Sequence, residues 1–397
     1  MLARKKRPEI GSGILGDLPE DLPLIEMHGV VKIFKSAAWE FEALKGINAS
    51  FRRGEFVSVV GRSGSGKSTL VNMITGIDHP TGGEVRIGDV NVHHMNESDM
   101  SVWRGRNLGI VFQFFQLLPM LTVLENVLLP MDFCNTYEPA EREARAMELL
   151  QRVGLEDFRD SLPSELSGGQ QQTAAIARSL ANNPPLILAD EPTGNLDSRT
   201  AESVFEIFED LVSQGKTILM VTHDRSLAER TSRVLVIVDG ELVKEPISNA
   251  FTRLPDQHLL WLSHEMDTIE FEPGQPVART GSDEIGLCVI VRGEVVIQRN
   301  AAHSGEENGN GNSHGNSHRP SARRLGPGEY FSDLDLAVGG ASISGVHASS
   351  DGPLELLSLH PEAFRGWLDG SQTLKERFIR SAQERAEWLA DGVEGAA

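Results

Sequence analysis

Cysteine is nearly missing from this chain. Only Cys134 and Cys288 occur in 397 residues, far apart in sequence, which leaves no material for a disulfide framework or a cysteine-built zinc site and fits a reducing compartment. Long apolar runs are missing too. No stretch of 18 or more apolar residues appears, and the basic residues near the N-terminus have no apolar core behind them, so neither a membrane span nor a secretory signal is expected. Positive charge is scarce: 37 Lys and Arg against 57 Asp and Glu give a formal charge of −20, which would repel nucleic acid over any extended contact. The one basic cluster, Arg4-Lys5-Lys6-Arg7, reads as part of a solvated tail, with an anionic membrane surface as the other reading. Against these shortages, a hydrophobic content of 40% supplies core material for the two domains that this length implies.

One stretch carries a specific chemical signal. Gly61-Arg62-Ser63-Gly64-Ser65-Gly66-Lys67-Ser68-Thr69 follows the apolar run 55–60, which reads as a buried strand, and enters 70–75, which reads as a helix. Glycines 61, 64 and 66 let such a loop curl and turn successive N–H groups toward phosphate oxygens, with the helix N-terminus adding its partial positive charge. Lys67 is placed to reach β- and γ-phosphates and Ser68 to ligate Mg²⁺, the arrangement of a P-loop.

The remainder is organised around that loop. Residues 1–23, rich in Gly, Pro and charge, read as a flexible tail. From residue 24 to about 243, strand-like runs (56–60, 186–190, 217–222, 234–238) alternate with helical patterns such as 140–153 and 199–214, which predicts a parallel sheet flanked by helices. Residues 117–162 read as mostly helical, a subdomain to one side. Residues 249–266 read as a connector containing a helix over 257–266. After it come short strands punctuated by Gly and Pro (269–272, 286–291, 294–298, 354–359), predicting a small β-roll closed by a helix over 373–389. Within it, 300–321 carries the repeat Gly-Asn-Ser-His-Gly-Asn-Ser-His. This tract cannot bury apolar surface and reads as a disordered loop, although His303, His314 and His318 are of metal-ligating type.

Further motifs narrow the choice among P-loop enzymes. Leu166-Ser167-Gly168-Gly169-Gln170 lies about a hundred residues after the loop, and Leu186-Ile-Leu-Ala-Asp190-Glu191 is an apolar strand ending in two carboxylates. Asn195-Leu196-Asp197, Val221-Thr222-His223-Asp224 and, upstream, Val111-Phe112-Gln113 complete the set. In this order they resemble the ATP-binding cassette family over residues 24–248. The resemblance implies an α/β P-loop nucleotide-binding domain with a helical subdomain, ATP and Mg²⁺ as cofactors, and a role for each residue. Ser68, Gln113 and Asp190 hold the metal. Glu191 deprotonates the attacking water, while His223, Gln113 and Lys67 hold the γ-phosphate and water in line. Phe34 occupies the position of the aromatic that stacks on adenine. Gly61, Ser63, Gly64, Ser65, Gly66, Lys67, Ser68 and Thr69 cradle the phosphates, and Asp197 belongs to the D-loop.

The same resemblance makes Ser167, Gly168, Gly169 and Gln170 half of a site completed by a second copy. One set of motifs per chain then implies a head-to-tail homodimer with two ATP molecules at its interface. Residues 117–127, 166–172 and 181–197 resemble the lipoprotein-release and macrolide-export type. That type implies an integral membrane permease as partner and a peripheral position on the cytoplasmic face of the inner membrane, with no nucleic acid bound. One departure stands out: Thr173 occupies a position where that type usually carries Arg.

Residues 267–390 resemble cyclic-nucleotide-binding domains through Phe271-Glu-Pro-Gly-Gln275, Gly293-Glu-Val-Val-Ile297 and Leu325-Gly-Pro-Gly-Glu-Tyr-Phe331. The ligand-holding segments depart from the pattern, reading Phe331-Ser332-Asp333-Leu334 and Ala341-Ser342-Ile343-Ser344-Gly345-Val346. Losing the Arg that pairs with a cyclic phosphate weakens binding by about two to four orders of magnitude. A degenerate regulatory or docking module is therefore expected, without cyclic-nucleotide binding. Two alternatives stay open at this point: a cassette ATPase regulated by a cyclic nucleotide, and a soluble cassette ATPase unconnected with transport.

Overall fold

The computed structural model describes residues 23–279, 286–299, 322–332, 343–349 and 351–391. The expected tail up to residue 22, the tract 300–321 with its three histidines, and Asp333, Leu334, Ala341 and Ser342 lie outside the described residues. The chain divides into two compact units, Met1–Val243 and Lys244–Ala397.

The first unit is built on a six-stranded sheet. Its order is Glu241–Leu242, Arg233–Val238, Phe56–Val60, Thr217–Thr222, Leu186–Asp190 and Leu108–Val111. The five longer strands are parallel and the short first one is antiparallel. Neighbouring residues within a strand feed different cores. Leu186, Leu188, Leu219 and Val221 join one cluster, whereas Ile187, Ala189, Ile218 and Met220 join another. Side chains alternate across a strand, so a strand buried on both faces becomes an unbroken apolar run. The register is level at the carboxyl ends, with Val60 opposite Thr222 and Val236, and Asp190 opposite Val221. The segments that follow Val60, Val111, Asp190 and Thr222 therefore emerge along one edge, where ligands of open parallel sheets bind.

A second sheet of this unit lies outside the sequence expectation, which foresaw parallel strands alone. Glu40–Phe51, Ile25–Lys35, Gly82–Ile87 and Val90–Asn91 form an antiparallel sheet in that order. Strand Phe56–Val60 and helix Lys67–Thr75 interrupt it in sequence, between Glu40–Phe51 and Gly82–Ile87, and several register shifts in Ile25–Lys35 blur the period-2 pattern by which a strand is recognised. The helical region foreseen over 117–162 contains Val123–Cys134 and Pro139–Arg152. The first is opened by a capping box between Thr122 and Glu125, which satisfies two otherwise orphaned backbone donors.

The second unit begins at Lys244, so the stretch read as a connector is an ordered part of it: helices Glu245–Ala250 and Asp256–Glu265 belong to its fold. Two four-stranded antiparallel sheets follow. One orders Asp267–Phe271, Leu354–Leu359, Leu287–Arg292 and Tyr330–Ser332; the other orders Pro276–Arg279, Ile343–Ala348, Val295–Arg299 and Ala322–Leu325. Helices Pro361–Asp369 and Gln372–Asp391 close the unit. Its aromatic cluster includes Trp261 stacked on Trp367 and Phe378 edge-on to Phe364 and Trp367. The helix expected over 257–266 is thus present, and packing of large rings fixes it within this unit. Cys134 and Cys288 are free, buried, and in different units.

Candidate functional site

The glycine loop is held open by its own backbone. Gly66, at φ 106°, precedes helix Lys67–Thr75, and no side chain caps that helix. Its first N–H groups are left for an external acceptor, which suits an anion. A Cβ on Gly66 would meet Ala43 O at 2.5 Å, and one on Gly61 would meet Ile237 O at 2.3 Å, so both positions exclude a side chain. Lys67 is buried, with Nζ donating to Gly61 O (2.9 Å) and Arg62 O (3.0 Å). The ammonium therefore sits inside the curl of the loop. Gly64 takes a left-handed φ of 81°. Ser63 and Ser68 are exposed, Thr69 is half-buried, and the buried Ser65 Oγ has no partner among the described residues.

Two adjacent carboxylates end the strand Leu186–Asp190 in different surroundings. Asp190 Oδ1 is buried with no hydrogen-bond partner among the described residues. Burial pushes the Asp190 pKa upward, the Ser68 hydroxyl bond opposes this, and the Glu191 charge adds to it while Lys67 offsets it. A carboxylate oxygen without a partner beside a hydroxyl suits Mg²⁺, which is commonly held by one or two protein oxygens together with substrate phosphates. The fit therefore rests on an orphaned acceptor and on the hardness of the donors.

Glu191 adopts φ 47°, left-handed for a residue with a side chain. This conformation costs on the order of 1 kcal/mol and persists only where surroundings impose it. Here Glu191 N donates to Val221 O (2.9 Å) and Gly194 N donates to Glu191 O (3.2 Å). Two side chains from other strand ends meet its carboxylate: Gln113 Nε2 donates to Oε2 at 3.0 Å, and His223 Nδ1 lies 3.5 Å from the same oxygen. Glu191 is largely buried, whereas the His223 side chain is 60% exposed. The pair Asp190 and Glu191 thus offers one oxygen fit for a cation and one carboxylate steered by neutral and titratable donors, a division of labour that suits phosphoryl transfer to water.

Other sequence-predicted residues sit apart from this cluster. Ser167 caps helix Gly168–Ser179, its Oγ accepting from Gln170 N (3.3 Å) while Gln170 Oε1 accepts from Ser167 N (2.9 Å). Gly168 and Ser167 are exposed, and a Cβ on Gly169 would meet Thr200 Cγ2 at 2.4 Å. None of these contacts reaches the loop 61–69. Thr173 turns its hydroxyl back to Gly169 O and Gln170 O, a bond within its own helix that needs no outside partner. Asp197 caps helix Ser198–Ser213, and its bond from the Thr200 hydroxyl (2.6 Å) holds its pKa down. Phe34 lies on the antiparallel sheet opposite Phe41, 37% exposed, with Lys32 Nζ 4.9 Å above its ring.

Asn195 belongs to the site although the sequence reading left it out. Its Nδ2 donates to Gln113 O at 3.2 Å, tying the segment after Asp190 to the segment after Val111. The available signal was its place in Asn195-Leu196-Asp197; the side chain that bonds across the site is the Asn rather than the Asp.

The pattern of the family described as ABC transporter matches residues 44–194. An ABC transporter ATP-binding protein of Methanocaldococcus jannaschii is 45% identical over 226 residues, covering 56% of this chain and 96% of that protein. The lipoprotein-releasing system ATP-binding protein LolD of Aquifex aeolicus is 49% identical over 205 residues, covering 52% of this chain and 91% of its own length. Among solved structures, a dimeric ATP-binding cassette in a post-hydrolysis state bound to ADP and Pi matches with a TM-score of 0.53 at 43% identity. That match covers 55% of this chain and 97% of the cassette.

Proposed function

This chain belongs to the ATP-binding proteins of ABC transporters, a family of ATPases, and from that premise we propose that its first unit is the motor of a permease of the lipoprotein-release and macrolide-export type. The observation that carries the reading is the convergence of Gln113 and His223 on Glu191, beside the unpartnered oxygen of Asp190. Phe34 stacks on the adenine. The amides after Gly61, together with Lys67, neutralise the phosphates. Ser68, Asp190 and Gln113 would hold Mg²⁺, which when bound would offset phosphate charge. Glu191 accepts the proton of the attacking water and His223 keeps that water in line. Ser167 and Gly169 are exposed in one chain, and a dimeric cassette at 43% identity supports their completing the phosphate site of a second copy.

Coupling to a membrane partner is supported by a groove of about 390 Å³ lined by Phe112, Gln116, Pro130, Phe133 and Arg178 among others. Phe133 is 64% exposed at its edge. No helix among the described residues is long and apolar enough to cross a membrane; in this reading the spans belong to the permease and the working position is the inner-membrane surface. Detergent extraction of the tagged chain co-expressed with its permease tests this. The permease should co-purify in stoichiometric amount, and Phe133→Glu should cut retention about tenfold or more, as loss of an aromatic anchor does. Equal retention by the variant overturns the groove assignment.

The second unit acts as a β-roll module for regulation or docking, without a cyclic-nucleotide site. The two antiparallel sheets and the closing helices support the architecture, and the altered motif residues support the lost ligand. Titration calorimetry with cAMP and cGMP should give no binding heat at micromolar ligand. Micromolar affinity for either overturns this part of the reading.

A further inference from the structure

Helix Gly168–Ser179 carries the exposed Ser167 and Gly168 at its start and Arg178 near its end. About 15 Å of helix separates Gly168 from Arg178. Arg178 forks across two consecutive carbonyls of the segment that follows Gln113: Nη2 donates to Phe115 O at 2.8 Å and Nη1 donates to Gln116 O. Phe115 and Gln116 both have φ 50°, a left-handed pair with side chains that the chain does not adopt without outside support. The ring of Phe115 also runs back toward the start of the helix, where its Cζ is 3.8 Å from a Cβ built on Gly168. Residues 113–116 are thus held at three places: by Asn195 at Gln113 O, by Glu191 at Gln113 Nε2, and by Arg178 at the two carbonyls. Burial lowers the Arg178 pKa.

We infer that Arg178 is a positioning residue for hydrolysis, a strut through which the helix beginning at Ser167 sets the place of Gln113 on Glu191. This rests on the reading of Gln113 and Glu191 given above. A shift of that helix, whose exposed start faces the second copy, carries the fork with it and moves the left-handed pair, so engagement at one site is felt at the carboxylate of the other. Arg178 and Gln116 also line the 390 Å³ groove, which places a segment seated there on the same strut. Lysine substitutes only in part, because a single ammonium lacks the planar fork that spans two carbonyls.

The test uses the full chain in four forms, Arg178→Ala, Arg178→Lys, Gln113→Ala and the Gln113→Ala/Arg178→Ala double variant, with steady-state ATPase and hydrogen exchange at amides 113–116. Arg178→Ala should lower kcat about tenfold with the KM for MgATP changed less than about threefold, and exchange at 113–116 should speed up about tenfold without nucleotide. Arg178→Lys should fall between it and the parent, and it supplies the reading if the alanine form does not fold. In the Gln113→Ala background the Arg178 substitution should add less than about twofold, the signature of action through that glutamine. Unchanged kcat in Arg178→Ala, or full multiplication of the two losses, overturns the strut. Unchanged kcat in Gln113→Ala overturns instead the role given to Gln113, and the inference falls with it.

Discussion

Glu191→Gln is expected to reduce MgATP turnover by about three orders of magnitude while leaving nucleotide binding in place. The amide keeps the size of the carboxylate, and its oxygen still accepts from Gln113 Nε2, which lies at 3.0 Å in the parent, so the constellation survives. What is lost is the base. An amide cannot take the proton of the attacking water, and His223 at 3.5 Å is placed to orient rather than to replace it. With ATP bound and uncleaved, the γ-phosphate stays between the exposed Ser167 region of one chain and the glycine loop of the next, and the dimer accumulates. Single-turnover hydrolysis measures the first effect and analytical ultracentrifugation the second. A variant that stays monomeric in saturating MgATP defeats the composite site.

Asp190→Asn should separate stability from function. Turnover is expected to fall by at least about a hundredfold, because an amide oxygen is a weaker ligand for a hard cation than a carboxylate. The nucleotide-free protein should nevertheless gain about 0.5–2 kcal/mol at pH 7, the scale of relaxing a strained functional position. The sign follows from the direction of the shift. Burial raises the Asp190 pKa above the ordinary 3.8, so the folded state disfavours the charged form. Below the unfolded value both states hold the proton and the wild-type carboxyl carries no penalty. As pH rises through the raised folded value the penalty develops, and above it the penalty is complete. The advantage of the Asn form should therefore be full near neutrality and shrink as the pH approaches the ordinary carboxyl range. Urea unfolding of both proteins over a pH series checks this. An Asn form less stable than the parent at pH 7 would show that Asp190 is satisfied in the fold after all.

Much of the first unit was legible because its signals are local. The strands over 56–60, 186–190 and 217–222 have the foreseen bounds, since a strand buried on both faces is an apolar run with few rivals. Helix bounds agree within a residue or two where capping is ordinary: 140–153 was expected and Pro139–Arg152 is observed. The helix after the loop was set three residues late, beginning at Lys67 rather than residue 70, because an uncapped helix entered from a left-handed glycine shows none of the usual start residues. The antiparallel sheet was missed where bulges interrupt alternation. The helix over 257–266 was foreseen and is observed as Asp256–Glu265, but its place in the second unit was not, because Trp261 gains its partner, Trp367, only from more than a hundred residues away.

The sequence by itself determined the phosphate loop, the order of the motifs and the strand that ends in two carboxylates. Those depend on backbone freedom at Gly61, Gly64 and Gly66 and on residue types at short spacing, which are properties of the local chain. The tertiary structure alone decided that Asp190 is the carboxylate with the unpartnered oxygen, that Glu191 is turned by a left-handed φ toward Gln113 and His223, and that Asn195 and Arg178 brace the segment between them. These contacts join strand ends and helices 32 to 82 residues apart. Such meetings follow from sheet register and helix placement, and no spacing within the chain encodes them one residue at a time.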